Sequence, residues 1–139
     1  MNILFDTSAL FKRYSGEAGM ERVLQLQREA TQVTAAAHCK SEIASALTRQ
    51  WREGLFSEDE YVRMLAEVQQ DFSDVTVLPL TAKVERNAIA AMRVAELRGA
   101  EALHIATAQA AGVDLFVSAD RRQTRAAHAL GLNTELVES

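Results

Sequence analysis

Residues 2–10 read Asn2-Ile3-Leu4-Phe5-Asp6-Thr7-Ser8-Ala9-Leu10, and this stretch decides the fold class. The apolar run 3–5 predicts a buried strand, and the pattern from Thr7 onward predicts a helix. A carboxylate, Asp6, therefore lies where the strand ends. In open α/β sheets, ligands and catalytic groups collect beyond the carboxyl ends of the strands. Asp6 is thus a candidate site residue.

The same arrangement returns near the end of the chain. The short apolar run 115–117 predicts a strand, which Ser118-Ala119-Asp120 follows directly, and residues 121–130 predict a helix closed by Gly131. Asp120 therefore repeats the position of Asp6 and is the second candidate acid.

The remaining pattern alternates strands with helices. The predicted strands cover residues 2–5, 32–35, 75–80, 115–117 and 134–137, and the predicted helices cover 7–13, 17–29, 39–53, a segment starting at Ser57, 81–98, 101–111 and 121–130. Pro79 predicts that the third strand is an edge strand or ends there. Because no repeat or linker interrupts this alternation, we expect one α/β domain over residues 1–139 with a mostly parallel central sheet flanked by helices.

Composition limits the classes of function. The chain has 139 residues, 48% of them hydrophobic and 24% charged, with a net charge of -4. This negative charge argues against binding of nucleic acid by a general positive field, so any such contact must be local. The single cysteine, Cys39, cannot form an internal disulfide and is expected to be packed in the core. The chain opens directly on a strand without a leader pattern, so we expect a cytoplasmic protein without a membrane segment.

Two further acids have unusual surroundings. Glu42 lies beside the apolar stripe of the helix over 39–53, and Glu101 begins a helix among alanines and leucines. Several acids on apolar surfaces repel one another until a cation neutralises them, and carboxylate oxygens suit Mg²⁺ or Mn²⁺. Such an ion can orient a phosphodiester and activate a water, so no serine, histidine or cysteine nucleophile is needed.

Four segments, taken in chain order, resemble the acidic motifs of PIN-domain nucleases, above all the VapC-type toxins of toxin–antitoxin pairs. These segments are I-L-F-D-T-S-A-L, S-E-I-A-S-A-L, A-E-A-L-H-I-A-T-A and F-V-S-A-D. The resemblance covers essentially the whole chain and implies a PIN-like fold. It gives the acidic, metal-holding positions to Asp6, Glu42, Glu101 and Asp120, and the hydroxyl positions beside the first and last acids to Thr7 and Ser118. It also implies an RNA substrate, a cognate antitoxin, a homodimer and Mg²⁺ or Mn²⁺ as cofactor.

The chain departs from the family pattern at two points. The family usually has aspartate where this chain has Glu101, and the extra methylene moves a carboxylate by about 1.5 Å. Many relatives also have a further acid shortly after the last strand motif, whereas Arg121-Arg122-Gln123-Thr124 follows Asp120 here.

Structural alternatives exist for each candidate. Asp6 and Asp120 could simply be helix N-caps, Glu42 could pair with Lys40 or Arg49, and Glu101 could complement a helix N-terminus. His104 is expected to be a hydrogen-bonded core residue rather than a catalytic one. Four arginines near the acids could form a rim that holds phosphates, or an ordinary charged surface. These are Arg13, Arg49, Arg121 and Arg122.

Two functions of different class follow. The first is a metal-dependent endoribonuclease that resembles a VapC-type toxin and hydrolyses RNA phosphodiester bonds. The second is a catalytically weak or inactive PIN scaffold that binds RNA or a protein partner, with Glu101 marking a degraded site. A haloacid-type phosphatase is disfavoured because Ser8 stands where that chemistry needs a second aspartate.

Overall fold

The computed structural model describes residues 1–138, and in this range strands and helices alternate as the sequence predicts. The elements are β1 (Asn2–Phe5), α1 (Thr7–Ser15), α2 (Met20–Glu29), β2 (Gln32–Ala36), α3 (Cys39–Arg52), α4 (Glu58–Phe72), β3 (Thr76–Leu78), α5 (Ala82–Val94), α6 (Gly99–Ala111), β4 (Leu115–Ser118), α7 (Arg121–Ala129) and β5 (Thr134–Leu136). None of the helices found in residues 1–138 combines the length and hydropathy of a bilayer-crossing segment.

The strands form one five-stranded sheet in the order β3-β2-β1-β4-β5. Every neighbouring pair is parallel, with β1 in the centre between β2 and β4. The predicted α/β class with a parallel sheet is confirmed, and β3 lies at an edge, as Pro79 indicated. Because all strands run the same way, their carboxyl ends meet at one edge of the sheet.

The central strand is buried on both faces, which explains its uninterrupted apolar sequence. Ile3, Leu4 and Phe5 are all 0% exposed. Ile3 and Phe5 belong to a hydrophobic core that includes residues of α1–α4. Leu4 points to the opposite face and packs with Ile105 and Phe116 in a second cluster. This burial on both faces fixes the end of β1 and so the position of Asp6.

The largest difference from the predicted helix boundaries is at the end of α5. The sequence predicts a helix over 81–98 closed by Gly99, but α5 ends at Val94 and Gly99 is the first residue of α6. Ala95 is extended, with φ -134° and ψ 149°. The new helix begins after Arg98, whose backbone N–H donates to Oε1 of Glu101 at 2.8 Å. A glutamate at the third helical position is thus the start signal here, and Gly99 is not an end signal.

Candidate functional site

The four predicted acids line one cleft of about 390 Å³ at the carboxyl-terminal edge of the sheet. Asp6 follows β1 and Asp120 follows β4, whereas Glu42 projects from α3 and Glu101 from α6. Residues distant in sequence therefore share one site because the parallel strands and the two helices end around the same cleft. The cleft also includes the following residues: Thr7, Ser8, Phe11, Ala46, Arg49, Arg98, Ala100, His104 and Gln123.

Asp6 is 1% exposed, and neutral groups make all of its hydrogen bonds within residues 1–138. Its Oδ1 accepts from the Ala9 N–H at 3.0 Å, which is the N-cap of α1, and from Ser8 Oγ at 2.7 Å. Its Oδ2 accepts from Ser118 Oγ at 2.6 Å. Burial raises the pKa of Asp6, against the opposing effects of His104 and these hydrogen bonds. Asp6 is thus a buried carboxyl without a salt-bridge partner in the described chain.

Glu42 is held by polar side chains from two other elements. Its Oε1 accepts from Thr7 Oγ1 at 2.6 Å and lies 2.8 Å from Nε2 of His104. Burial acts to raise the pKa of Glu42, but the hydrogen bonds from His104 and Thr7 outweigh it and hold the pKa below its usual value. The alternative pairing with Lys40 does not occur, since Lys40 donates to Gln69. Glu42 is therefore an ionised, oriented carboxylate.

Asp120 is the N-cap of α7 and is linked to Asp6 through Ser118. Its Oδ1 accepts from the Gln123 N–H at 3.0 Å. The Ser118 hydroxyl, which donates to Asp6, also accepts from the Asp120 N–H at 3.0 Å. Capping uses Oδ1 alone, and Oδ2 of Asp120 accepts no hydrogen bond from residues 1–138. Both aspartates are therefore helix N-caps, and capping by Oδ1 leaves the second Asp120 oxygen available to a ligand.

Glu101 differs from the other three acids because it is paired with an arginine. Nη2 of Arg122 donates to both of its carboxylate oxygens, at 2.9 and 2.7 Å. Its Oε1 also caps the start of α6 through the Arg98 N–H. The Glu101 side chain is 18% exposed and that of Arg122 is 46% exposed. Its charge is therefore already compensated by protein groups.

The four predicted phosphate-holding arginines do not converge. Arg49 lines the cleft, and Arg122 reaches its edge through Glu101. Arg121 instead pairs with Glu138, and Arg13 pairs with Asp71 in a different surface depression. The structure adds Arg98, which sequence reasoning did not select. The local positive groups at the cleft are thus Arg49, Arg98 and Arg122.

Sequence reasoning missed two residues beside the acids, Ser8 and His38. Ser8 donates to Asp6 and accepts from the Ala119 N–H at 3.0 Å, so it ties the first acid to the loop after β4. His38 lies four residues before Glu42, a spacing that places both on one helix face and could have been noticed.

His104 is buried and hydrogen-bonded as expected, but its partner is the site residue Glu42. Burial raises the pKa of the Cys39 thiol to about 12, as suits a packed residue.

The donor set fits a hard divalent cation. Carboxylates and neighbouring hydroxyls are the ligands that Mg²⁺ and Mn²⁺ prefer. A buried carboxylate without a counter-charge is costly, and a bound cation removes that cost. Asp6 is such a buried carboxyl without a counter-charge, and in the same cleft the Oδ2 atom of Asp120 accepts no hydrogen bond from residues 1–138.

Comparisons with known sequences show which proteins this chain resembles. The chain matches the model of the PIN domain family over residues 3–129. It is 33% identical to Ribonuclease VapC45 of Mycobacterium tuberculosis strain CDC 1551 / Oshkosh, over 93% of this chain and 91% of that protein. Ribonuclease VapC49 of Mycobacterium tuberculosis strain ATCC 25618 / H37Rv gives the same identity and coverage.

Solved structures share the fold. FitAcB from Neisseria gonorrhoeae matches with a TM-score of 0.74 and 16% identity over 95% of both chains. VapC20 of Mycobacterium tuberculosis, described as a sarcin-ricin loop cleaving toxin, matches with a TM-score of 0.69 and 20% identity over 94% of this chain and 95% of that one. A toxin-antitoxin complex from Klebsiella pneumoniae matches with a TM-score of 0.68 and 15% identity, covering 87% of this chain and 88% of that one. At these identities the likeness shows the fold alone.

The resemblance seen in the four acidic segments is thus confirmed by two comparisons of the whole sequence. The family model spans the strands and helices that build the cleft, from β1 to α7. The two ribonucleases align along nearly the whole chain. This protein therefore belongs to the PIN-domain family, among its VapC-type members.

Proposed function

We propose that this protein is a metal-dependent endoribonuclease and the toxin of a toxin–antitoxin pair. The observation that carries the proposal is the pairing of Asp6 and Asp120 through Ser118 in the cleft that Glu42 also lines. This arrangement brings three carboxylates, none of them paired with an arginine or lysine within residues 1–138, to one site. The names of the VapC45 and VapC49 relatives support RNA as the substrate.

Asp6, Glu42 and Asp120 would hold Mg²⁺ or Mn²⁺, with Glu101 at the side of the cleft that Arg122 occupies. When bound, such an ion supplies a Lewis acid that neutralises phosphate charge and acidifies a water. The hydroxyls of Thr7 and Ser118 fix the carboxylates of Glu42 and Asp6 by hydrogen bonds of 2.6 Å each. Groups of this kind keep ligands in position and tune their affinity.

The positive groups at the cleft would hold the RNA backbone. Arg49 and Arg98 line the cleft on the sides of α3 and α6, while the chain as a whole carries a net charge of -4. Phosphate contacts position a nucleic acid without reading its sequence, and their strength falls as salt concentration rises. Substrate binding should therefore weaken steeply with ionic strength, whereas salt-insensitive binding would exclude these arginines from it.

The proposal includes an antitoxin partner, a homodimer and a cytoplasmic location. The toxin-antitoxin complex from Klebsiella pneumoniae, which shares the fold, supports an antitoxin partner. The helix α5 supports self-association, because Ile89 and Met92 lie one turn apart and are 59% and 39% exposed. A cytoplasmic location follows from the proposed substrate, since RNA is made and used there.

Cleavage of RNA by the purified chain tests the function. The wild type should cut RNA internally with Mg²⁺ or Mn²⁺ and stop when EDTA is added. Asp120→Asn keeps a good helix N-cap but removes a charged ligand, so it should lower the rate at least about 100-fold. Asp114→Asn is the matched control, because Asp114 accepts from the Asn2 N–H before β4 and not in the cleft. Equal cleavage by the wild type and Asp120→Asn, or cleavage that resists EDTA, would reject the proposal.

The inactive scaffold is the second candidate, and the Glu101–Arg122 pair favours it. An acid that an arginine already neutralises is less available to a metal ion. The scaffold predicts that the purified chain binds RNA or a protein partner but cleaves no RNA with either ion. Any EDTA-sensitive cleavage that Asp120→Asn abolishes would exclude it.

A further inference from the structure

Two histidines and a glutamate form a compact group beside the acidic cleft. His38 directly precedes α3, Glu42 follows one turn later, and His104 reaches the pair from α6. One ligand atom of each residue lies within 4.8 Å of those of the other two. The i, i+4 spacing places His38 and Glu42 on one face of α3, and the packing of α6 supplies the third ligand.

The ligand atoms are close enough for one ion to bridge them. Nε2 of His38 lies 3.4 Å from Glu42 Oε1, and Nε2 of His104 lies 2.8 Å from the same oxygen. Two ligands bonded tetrahedrally to one ion at 2.0–2.1 Å are about 3.4 Å apart. The His38–Glu42 distance already has this value, the His104–Glu42 distance of 2.8 Å is shorter, and the ligand atoms of the two histidines lie within 4.8 Å of each other.

The group combines a fixed side and an accessible side. His104 is 3% exposed, and its Nδ1 has no hydrogen-bond partner in residues 1–138. The polar contacts of the ring to Glu42 and Thr7 are both made by Nε2. The side chains of His38 and Glu42 are 25% and 36% exposed. An ion can therefore enter from solvent and meet an imidazole that packing already holds in place.

The donor set selects a different ion from the one that the acidic cleft prefers. Imidazole nitrogens suit Zn²⁺ and similar transition metals, whereas Mg²⁺ prefers oxygen ligands alone. Two histidines and one glutamate are a known type of zinc ligand set, which leaves the fourth position open to water.

We propose that His38, Glu42 and His104 form an inhibitory Zn²⁺ site. Binding replaces the His104–Glu42 contact and the 2.9 Å contact between His38 Nε2 and the Ala100 carbonyl with bonds to the ion. Because Glu42 belongs to both sites, its carboxylate is not available to Mg²⁺ when it binds Zn²⁺. The inhibitory part of this proposal rests on the proposed ribonuclease function, and the binding part does not.

Zinc affinity of the full chain, measured by competition with a chromophoric chelator, tests the binding part. The wild type should bind one Zn²⁺ per chain at this site, and Co²⁺ in its place should give the intense visible bands of tetrahedral coordination. His38→Gln should lower the affinity at least about 100-fold, since it removes a direct ligand. His128→Gln is the matched control: His128 is exposed on α7, and its loss should change nothing. No zinc binding by the wild type, or equal binding by His38→Gln, would overturn the site.

Zinc inhibition of RNA cleavage at saturating Mg²⁺ tests the regulatory part. Each variant is compared with its own zinc-free rate, so a change in basal activity does not affect the result. The wild type should lose activity over the Zn²⁺ range in which it binds, and His38→Gln should need at least about 100-fold more. Zinc that binds through His38 without slowing cleavage would overturn the inhibition. A chain that binds Zn²⁺ through His38 but never cleaves RNA would support the zinc site and overturn the ribonuclease proposal.

Discussion

At the residue scale, Asp6 is a buried carboxyl in electrostatic conflict with its surroundings. Its oxygens accept hydrogen bonds from two serine hydroxyls and a backbone N–H, yet burial still raises its pKa. Neutral donors reduce the cost of a buried charge less than a counter-ion does. Asp6 should therefore lower the stability of the metal-free chain, and a cation bound in the proposed site would remove this cost.

Asp6→Asn should stabilise the metal-free protein at neutral pH by about 0.5–2 kcal/mol, because Asn keeps the N-cap and removes the buried charge. The folded-state pKa of Asp6 is raised, so the wild type becomes less stable relative to the variant as pH rises through that pKa. Urea unfolding in EDTA at acidic and neutral pH measures the difference. A variant less stable than the wild type at neutral pH would contradict this interpretation.

Thr7→Val should weaken divalent-ion binding by about 10–100-fold, because it removes the hydroxyl that donates to Glu42 at 2.6 Å. Loss of this donor also raises the pKa of Glu42 toward its usual value. Thr7→Ser keeps the hydroxyl and should bind Mn²⁺ like the wild type in titration calorimetry. Equal Mn²⁺ affinity in Thr7→Val and Thr7→Ser would show that the hydroxyl does not position the carboxylate.

Arg122→Gln should tighten Mn²⁺ binding about fivefold, a change of about 1 kcal/mol that suits a partly exposed ion pair. Without its arginine, Glu101 adds an uncompensated negative charge to the cleft, and a cation relieves the repulsion. Arg121→Gln is the matched control, since Arg121 pairs with Glu138 instead. Weaker Mn²⁺ binding by Arg122→Gln would mean that Arg122 positions Glu101 for the ion.

Single residues could be predicted where the signal is local. Asp6 and Asp120 follow apolar strands directly, and this pattern predicted both their position and their capping role. Ser8 was not predicted, because its contact with the Ala119 N–H exists only in the folded chain, whereas His38 was missed although its i, i+4 spacing from Glu42 is a local signal. The arginine rim was predicted from nearness in sequence, and the pairing of Arg13 with Asp71 shows the limit of that argument.

At the element scale, helices with clear terminal signals were predicted well and the junction between α5 and α6 was not. Ser57 and Glu60 form the predicted capping box of α4, and Gly112 closes α6 in the left-handed conformation. Residues 95–98 contain neither glycine nor proline, so the sequence gives no signal that the helix ends there. The helical pattern of apolar residues therefore predicted an α5 that continues beyond its true end at Val94. Arg98 is not a usual N-cap residue. The sequence signal for the start of α6 is therefore Glu101 alone, which accepts from the Arg98 N–H without the serine or threonine N-cap of a usual capping box.

The start of α2 depends on a glycine that no other residue can replace without strain. Gly19 has φ +100°, and an added Cβ would lie 3.0 Å from Cδ of Lys12. Lys12 is itself buried, and its ammonium donates to the Ala18 carbonyl at 2.9 Å. The chain therefore needs both the left-handed backbone and the open space at this position.

Gly19→Ala should destabilise the protein by about 1–3 kcal/mol in urea unfolding. Gly99→Ala is the matched control, because Gly99 is exposed, has no positive φ and would place its Cβ in open space. It should leave stability unchanged or raise it by up to about 1 kcal/mol. Equal effects of the two substitutions would remove the conformational argument.

At the scale of the whole molecule, parallel topology explains the site. Placement of β1 beside β4 in the sheet brings Asp6 and Asp120 together although they are distant in sequence, and α3 and α6 add the glutamates. The alternation of strands and helices predicted this class of fold. Strand order and the exact partners depend on long-range packing, which a single sequence shows only through family resemblance.

Self-association is the second property of the whole molecule that can be tested. Ile89→Glu places a charge on the exposed apolar face of α5 and should convert the proposed homodimer into a monomer in analytical ultracentrifugation. Lys83→Gln, on a different side of the same helix, is the control and should leave the dimer intact. A dimer that persists in Ile89→Glu would place the interface elsewhere.

The central claim is that Asp6, Glu42 and Asp120 hold one divalent ion that RNA cleavage requires. Anomalous diffraction from crystals grown with Mn²⁺ tests it most directly, because the signal locates the ion itself. We expect a peak in the cleft with direct bonds to oxygens of at least two of these carboxylates, and no such peak in Asp6→Asn crystals. A protein that cleaves RNA in Mn²⁺ yet shows no manganese in this cleft would contradict the account.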